Sequence, residues 1–410
     1  MSESIHLFER FGIELEYMIV DKDNLKVKPI SDEIIKSVTG EYKSDAEFGD
    51  IEISNEIVLH VIELKTNGPA LSLNNLDDSF HRVVKELNKL LESHNAILLP
   101  SAVHPTMDPL KETKIWPHHN SAVYEAYDKI FNCKGHGWSN LQSTHINLPY
   151  KGDEEFGNLH AAIRAVLPIL PALAASSPII DGKFSGSRDV RLEFYRKNQS
   201  RIPSITGSII PERVFTREDY KEEILEWIYS NIEKFDTDKL LRHEWLNSRG
   251  AIARFQRKTI EIRTLDIQES PKVDISIAAF VTELLKKFIN EEWRPLDELK
   301  AADEDELARI LFNVIKVAES SIITNKNYLG LFGLEGSQKI SAKDLLQYIF
   351  EELKDFSKTP HAEVIQAIIK NGTLSSRIIR AVKNDFSPKN LNAVYFELAD
   401  CLAKNEMFRV

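Results

Sequence analysis

Pairs of charged or polar residues, separated by one apolar residue, occur in five apolar segments of this chain. In a β-strand, residues i and i+2 lie on the same face, so each pair would share one face while the residue between them joins the core. The pairs are Glu14 and Glu16, Glu63 and Lys65, His145 and Asn147, Arg191 and Glu193, and Glu261 and Arg263. Together they predict an antiparallel sheet with one apolar face and one charged face.

Two explanations of the charged face are open. One face of an antiparallel sheet is often solvated, and this alone explains any single pair. However, Glu is depleted in strands, and two carboxylates about 7 Å apart on one face repel each other. Repeated on several strands, such carboxylates need neutralising cations. A set of carboxylates with one imidazole favours Mg²⁺ or Mn²⁺ over zinc.

Arginines near the charged face are candidates for anion binding. A bound Mg²⁺ usually contacts phosphates beside carboxylates, and a guanidinium group binds phosphate or carboxylate oxygens in pairs. The candidates are Arg191, Arg196, Arg201 and Arg263. The sequence has no P-loop and no GxGxxG motif opening a helix, so ATP would bind on a sheet rather than at a helix N-terminus.

The periodicity of the sequence changes near residue 274. Residues 8 to about 270 mix strand-like alternation with helices, whereas the following residues are almost wholly helical in pattern. We therefore predict an α+β fold with a catalytic domain over residues 1–273 and a helical C-terminal region over residues 274–410. In that region Ser341 to Asp344 resembles a capping box before a helix whose apolar face is Leu345, Leu346, Ile349 and Phe350.

The patterns also predict individual elements. Strands are expected at Phe11–Val20, Lys26–Lys28, Ile51–Thr66 (two strands), Ile97–Ala102, Leu141–Leu148, Val190–Tyr195 and Lys258–Ile267. Helices are expected at Asn75–His94, Asn158–Ala175 and Arg217–Phe235, and Ala165–Ile180 is expected to be a buried helix.

Four segments resemble motifs of the glutamate–cysteine ligase and carboxylate–amine ligase family. They are the strand from Gly12 to Glu16, the stretch from Glu56 to Thr66 with acids at Glu56 and Glu63, the stretch from Thr144 to Asn147, and the stretch from Thr259 to Arg263. Their order and spacing agree with the family over about residues 8 to 285. The resemblance implies a glutamine-synthetase-like fold, in which an antiparallel sheet forms a bowl-shaped active site around Mg-ATP and helices cover its outer face.

The resemblance also implies roles for individual residues. The expected metal ligands are Glu14, Glu16, Glu56, Glu63, His145 and Glu261. The expected ATP-binding residues are Asn147, Arg263 and Lys65, and those for the substrate carboxylate are Arg191, Arg196 and Arg201. Arg263 would contact the transferred phosphate, and Glu63 could hold the substrate amine or accept its proton; these two are the candidate catalytic residues.

The implied activity is that of an ATP- and Mg²⁺-dependent carboxylate–amine ligase joining the γ-carboxyl of glutamate to cysteine. Because a carboxylate does not accept an amine at neutral pH, ATP would first convert it to an acyl phosphate, with release of ADP. One alternative is a metal-dependent hydrolase that uses the acidic face on an amide or phosphoester. Another is a ligase-like binding protein without catalysis.

The composition bears on partners and location. Lys and Arg total 52 and Asp and Glu total 63, so the formal charge of −11 offers no basic field for nucleic acid. The partners expected are therefore small molecules. The two cysteines form no CxxC pair, and no signal-peptide pattern or membrane-length apolar segment appears, so a cytoplasmic location is expected. Oligomerisation is left open.

Overall fold

The computed structural model describes residues 5–336 and 339–410. The strands are β1 (Gly12–Asp21), β2 (Asp45–Phe48), β3 (Ile51–Asn55), β4 (Val61–Thr66), β5 (Ala96–Leu99), β6 (Ser143–Pro149), β7 (Ile179–Ile180), β8 (Lys183–Phe184), β9 (Ala251–Arg254), β10 (Thr259–Asp266), β11 (Ile322–Ile323) and β12 (Ile340–Ser341).

The helices fall into two groups along the chain. Up to residue 289 they are α1 (Ser31–Thr39), α2 (Leu76–Leu91), α3 (Pro109–Glu112), α4 (Ser121–Phe131), α5 (His136–Ser139), α6 (Gly152–Val166), α7 (Pro171–Ala174), α8 (Val190–Tyr195), α9 (Arg217–Tyr220), α10 (Glu226–Ile232) and α11 (Pro271–Ile289). Beyond it they are α12 (Leu296–Ala301), α13 (Glu304–Val317), α14 (Lys326–Leu331), α15 (Ala342–Glu352), α16 (Ala362–Asn371), α17 (Leu374–Val382) and α18 (Pro388–Lys404).

The main sheet is antiparallel and has the strand order β2-β3-β4-β1-β6-β10-β9, with β5 pairing β1. The apolar residues between the polar pairs are buried in one core cluster, including Leu15, Leu64, Ile146 and Ile262. Side chains of α2, α6 and α11 join the same cluster. The predicted division into an apolar and a charged face is therefore confirmed for these strands.

Among the described residues after 274, the regular elements are helices apart from the two-residue strands β11 and β12. The expected cap of α15 is present: the Ser341 hydroxyl accepts a hydrogen bond from the Asp344 backbone N–H. The apolar face of α15, including Leu346, is buried as predicted. The boundary that we place between residues 273 and 274 lies inside the first turn of α11.

Three local predictions differ from the structure. Val190–Tyr195 is the helix α8 rather than a strand, because the Asp189 carboxylate accepts the Leu192 N–H and caps the helix N-terminus. Lys26–Lys28 forms only the bridge of Val27 to Val20. The buried stretch Ala165–Ile180 is divided into the end of α6, a 3₁₀ turn, α7 and β7, since prolines begin new helical segments within it.

Within the described residues, no helix is both long enough and apolar enough to span a membrane.

Candidate active site

Four of the five polar pairs lie on adjacent strands of the sheet. Between β4 and β1, Lys65 is opposite Glu14, and Glu63 is opposite Glu16. Between β1 and β6, Glu14 is opposite His145. On the next strand, Glu261 is opposite Asn147. The strand order therefore brings together side chains that lie far apart in the sequence.

All of these side chains except that of Asn147 line a cavity of about 640 Å³ on the charged face of the sheet. Two sets of three residues each place one possible metal-ligating atom within 4.8 Å of one another. One set is Glu14, Glu63 and His145, and the other is Glu16, Glu56 and Glu63. Glu63 belongs to both sets, so the two candidate metal positions are neighbours.

Glu14 and His145 form a buried ion pair, with 2.9 Å between a Glu14 carboxylate oxygen and His145 Nδ1. Burial opposes ionisation of Glu14, but the hydrogen bond and charge of His145 lower the Glu14 pKa to about 2. Burial also opposes protonation of His145, yet the hydrogen bond to Glu14 raises its pKa. Glu16 is held by Ser143, whose backbone N–H and hydroxyl both donate to one oxygen of Glu16.

The buried carboxylates of Glu56 and Glu63 are less well stabilised by neighbouring groups. Burial, followed by the charge of Glu14, raises the pKa of Glu63 to about 7, although Lys65 opposes this shift. Burial and the charges of Glu16 and Glu63 raise the pKa of Glu56. Carboxylates crowded in this way would be stabilised as anions by a divalent cation, so the donor set fits Mg²⁺ or Mn²⁺.

Glu261 is placed differently from the other expected metal ligands. Its carboxylate contacts Arg254 at 2.7 Å and Arg263 at 3.3 Å, and it belongs to neither of the two sets. The structure therefore brings five of the six expected ligands together and places the sixth beside two arginines.

The expected ATP-binding residues lie on or beside the same face. Asn147 donates its side-chain N–H to Glu14 at 3.1 Å and faces Gly12 across the strand pair. A Cβ at Gly12 would lie 2.9 Å from the Asn147 Cβ, so glycine lets these strands carry Asn147 at this position. Lys65 lies between Glu52 and Glu63, at 3.3 and 3.4 Å. Arg263 lines the cavity.

The three arginines expected at the substrate carboxylate are not among the residues lining this cavity. Arg191 is buried and pairs with Asp266 at 2.5 Å. Arg196 pairs with Glu193 and stacks on Phe312. Arg201 stacks on the ring of Phe235 and donates to the Ile130 carbonyl at the end of α4. In this structure the three side chains are engaged by other residues of the chain, and their role at a substrate carboxylate stays a prediction.

The cavity also contains residues that the sequence analysis missed. Arg254 and Arg257 lie on the β9–β10 hairpin, and Arg257 is 3.7 Å from Glu14. Their position on the hairpin that carries Glu261 and Arg263 is the signal that could have identified them. An aromatic wall faces the acids and consists of Tyr124, Tyr127, Trp138 and Trp245. No pattern in the sequence connects these aromatic residues.

The family model of glutamate-cysteine ligase family 2 (GCS2) matches residues 10–325 of the chain. The chain belongs to this family. Every residue that we expected at the site lies within the matched range, whereas α14 to α18 lie beyond it. Membership supports the class of carboxylate–amine ligases for this protein.

Relatives in the family extend over nearly the whole chain. An uncharacterised protein of Archaeoglobus fulgidus is 34% identical over 399 residues, covering 97% of this chain and 99% of its own. A protein of Nitrosospira multiformis named "Putative glutamate--cysteine ligase 2" is 24% identical over 386 residues, covering 88% of this chain and 89% of its own.

A solved structure confirms the predicted glutamine-synthetase-like fold. The glutamate–cysteine ligase of Francisella tularensis, solved in complex with AMP, superposes with a TM-score of 0.58 at 13% identity. The match covers 95% of this chain and 88% of that one. At this level of identity the likeness concerns the fold alone.

Proposed function

We propose that this GCS2 protein is an ATP- and Mg²⁺-dependent ligase that joins the γ-carboxyl of glutamate to the amino group of cysteine. The observation that carries the proposal is the pair of ligand sets sharing Glu63, in one cavity with Arg263. An amide hydrolase would need the acids, but not a nearby group of arginines for a transferred phosphate. The names of the family and of the Nitrosospira relative support glutamate and cysteine as substrates.

The proposed reaction has two steps. In the first, an oxygen of the substrate carboxylate attacks the γ-phosphorus of ATP, the bond to the bridging oxygen breaks, and ADP leaves. In the second, the amine nitrogen attacks the acyl carbon, an amide bond forms, and phosphate leaves with the electron pair of the carbon–oxygen bond. The proton lost by the nitrogen must pass to a base.

The protein's residues have distinct parts in this scheme. The two sets sharing Glu63 would hold Mg²⁺, which when bound would neutralise charge on the phosphate oxygens. Arg263 and its neighbours Arg254 and Arg257 would orient the transferred phosphoryl group through guanidinium contacts. Glu63 would hold the substrate ammonium or accept its proton while its carboxylate does not ligate Mg²⁺.

The aromatic wall and the C-terminal helices supply no reacting group. The wall would exclude water from the acyl phosphate. A cytoplasmic location would supply the ATP, and it is included in the proposal.

A product assay tests the function. Purified protein given glutamate, cysteine and Mg-ATP should form ADP, phosphate and a dipeptide in equal amounts, and each substrate omitted should stop ADP release. AMP and pyrophosphate as products would contradict the acyl phosphate. Amide or phosphoester hydrolysis without nucleotide would favour the hydrolase instead.

The amine is tested in the same assay with a panel of amino acids and simple amines replacing cysteine. A strong preference for another amine would retain the ligase class and remove cysteine from the proposal. Glu47→Gln, at an exposed position on β2, should keep full turnover and serves as the control for substitutions of the acidic residues in the cavity.

A further inference from the structure

A β-bulge in β10 carries Arg263. The pairing of β10 with β6 runs from Thr259 to Ile262, which is opposite Ile146, and resumes with Leu265 opposite Thr144. Two residues of β10, Arg263 and Thr264, therefore stand against the single residue His145. A bulge re-aims the side chain that it carries and often occurs beside active sites.

The Arg263 carbonyl receives no hydrogen bond from Gly250, the residue that faces Arg263 just before β9. The Arg263 N–H donates to the Gly250 carbonyl at 2.9 Å, but the Gly250 N–H donates to Ile209 instead of returning a hydrogen bond. The Arg263 carbonyl instead accepts from the guanidinium of Arg191, with Nη2 at 3.2 Å. Since a buried carbonyl without a donor is costly, Arg191 stabilises the bulge.

Arg191 is itself fixed by a buried ion pair. Its side chain is 2% exposed, and its Nε donates to Asp266, which is fully buried. The other oxygen of Asp266 accepts from the Ser176 N–H at 2.8 Å and from the Ser177 hydroxyl at 2.7 Å. The Ser177 hydroxyl also accepts the backbone N–H of Arg191 at 3.1 Å. The guanidinium thus has one preferred position.

We propose that the Arg191–Asp266 pair is a positioning device that holds the bulge and thereby aims the Arg263 guanidinium into the active-site cavity. Arg191 acts through the backbone of Arg263 and does not contact the substrate. This inference rests on the proposed function for its kinetic consequences, because it gives Arg263 the role of contacting the transferred phosphate.

Arg191→Lys tests the proposal. The lysine keeps the positive charge beside Asp266 but has no planar fork to reach the Arg263 carbonyl as well. Misplacing Arg263 should lower kcat on the order of 100-fold, with smaller changes in the KM values of ATP and the acid. Hydrogen–deuterium exchange in the peptide spanning Thr259–Asp266 should also become faster, because the bulge is less constrained.

Arg164→Lys is the matched control. Arg164 is also fully buried and donates to two backbone carbonyls, Pro211 at 2.7 Å and Ala302 at 2.9 Å, but it does not line the active-site cavity. Its substitution should lower thermal stability. Hydrogen–deuterium exchange in β10 and the kcat of the folded protein should stay as in the wild type. Ser177→Ala, a milder change in the same network, should give a smaller loss of kcat if Arg191→Lys does not fold.

Each result supports or overturns the proposal. A rise in the KM of the acid with an unchanged kcat would make Arg191 a substrate-binding residue instead. Equal losses of kcat in Arg191→Lys and Arg164→Lys, with unchanged exchange in β10, would reduce it to a purely structural residue. If the wild type forms no product, the proposed function fails, whereas the exchange comparison still tests whether Arg191 holds the bulge.

Discussion

At the scale of single residues, Glu63 is the position where the two candidate metal sets meet. It lies near Glu14, Glu16 and Glu56, and within residues 5–336 and 339–410 only Lys65 and the Ser54 hydroxyl contact it as positive or hydrogen-bonding groups. The negative charge of Glu63 therefore destabilises the metal-free protein, whereas in the presence of a divalent cation it would serve as a ligand. Removing this charge should therefore have a measurable effect both in the metal-free protein and in the protein with Mg-ATP.

Glu63→Gln should have opposite effects without and with ligand. Without metal, the loss of one charge relieves repulsion, so the melting temperature should stay equal or rise. With Mg-ATP the thermal shift should shrink, because stabilisation by a ligand depends on its dissociation constant. Turnover should fall by orders of magnitude. Scanning calorimetry with and without Mg-ATP measures both effects, and Glu47→Gln should behave as wild type.

Buried neutral histidines predict sensitivity to acid. Burial lowers the pKa of His104 to about 4, although its hydrogen bond to the Leu25 carbonyl opposes this. Its Nδ1 accepts the Thr106 N–H at 3.2 Å, which requires the neutral ring. Burial likewise lowers the pKa of His60 to about 4 and that of His160 to about 3.

The folded pKa of His104 lies below its unfolded value, so the unfolded chain binds more protons between about pH 6.5 and 4. Stability from this group is therefore complete above pH 6.5 and declines as the pH falls towards 4, by up to about 3 kcal/mol. In His104→Gln the loss of unfolding free energy between pH 7 and 4, measured with urea, should be smaller than in wild type. An equal loss in both proteins would contradict a buried neutral His104.

At the scale of elements, the helix α15 shows how the C-terminal region contributes. Leu346 is 2% exposed and belongs to the same core cluster as Leu15 and Ile146 in the central sheet. Leu346→Ala should lower the free energy of unfolding by about 2–5 kcal/mol, because it leaves a cavity in this core. The exposed neighbour Gln347 is the control, and Gln347→Ala should change stability by less than about 0.5 kcal/mol. Urea denaturation at pH 7 compares them, and equal stability of both variants would show that the face of α15 is not a core face.

The elements also show what the sequence can and cannot predict. Alternation with period two correctly identifies the strands carrying Glu14, Glu63, His145 and Glu261, because one buried face imposes it. The same alternation is misleading at Arg191, where six residues are too few to separate a strand from a short helix. There, the burial of Val190 and Leu192 depends on tertiary packing, and the cap by Asp189 decides the structure.

The order of the strands in the sheet is the other feature of the site that the sequence does not predict. Which pairs become neighbours depends on the topology β4-β1-β6-β10, and this order is not contained in any single segment. The aromatic wall comes from α4, from Trp138 and from Trp245, which meet only after the chain has folded over the sheet. The acidic residues on the strands could be predicted as a group, because repeated carboxylates on one face of a sheet need a shared cation to neutralise them.

At the scale of the whole molecule, the predicted boundary near residue 274 can be tested as a boundary of folding. The helix α11 crosses it and is buried along most of its length. One core cluster includes Leu15 of β1, Phe156 of α6, Phe280 of α11 and Leu346 of α15. A chain ending at residue 273 would lose most of α11 and expose apolar side chains of the sheet and of α6.

We therefore expect residues 1–273 alone not to fold cooperatively, while the full chain unfolds in one transition. The apolar surface uncovered by the truncation carries a free-energy cost of about 25 cal/mol per Å², and a domain's net stability is only about 5–15 kcal/mol. Circular dichroism melts of both chains measure this, and a dye that binds exposed apolar surface should respond to the fragment at 25 °C. As a check within the intact chain, Leu346→Ala should lower the unfolding temperature reported by exchange in β1 and β10 as much as that reported in α15. A fragment that melts sharply and gains stability from Mg-ATP would instead make residues 1–273 an independent catalytic domain, with the C-terminal helices an appendage to it.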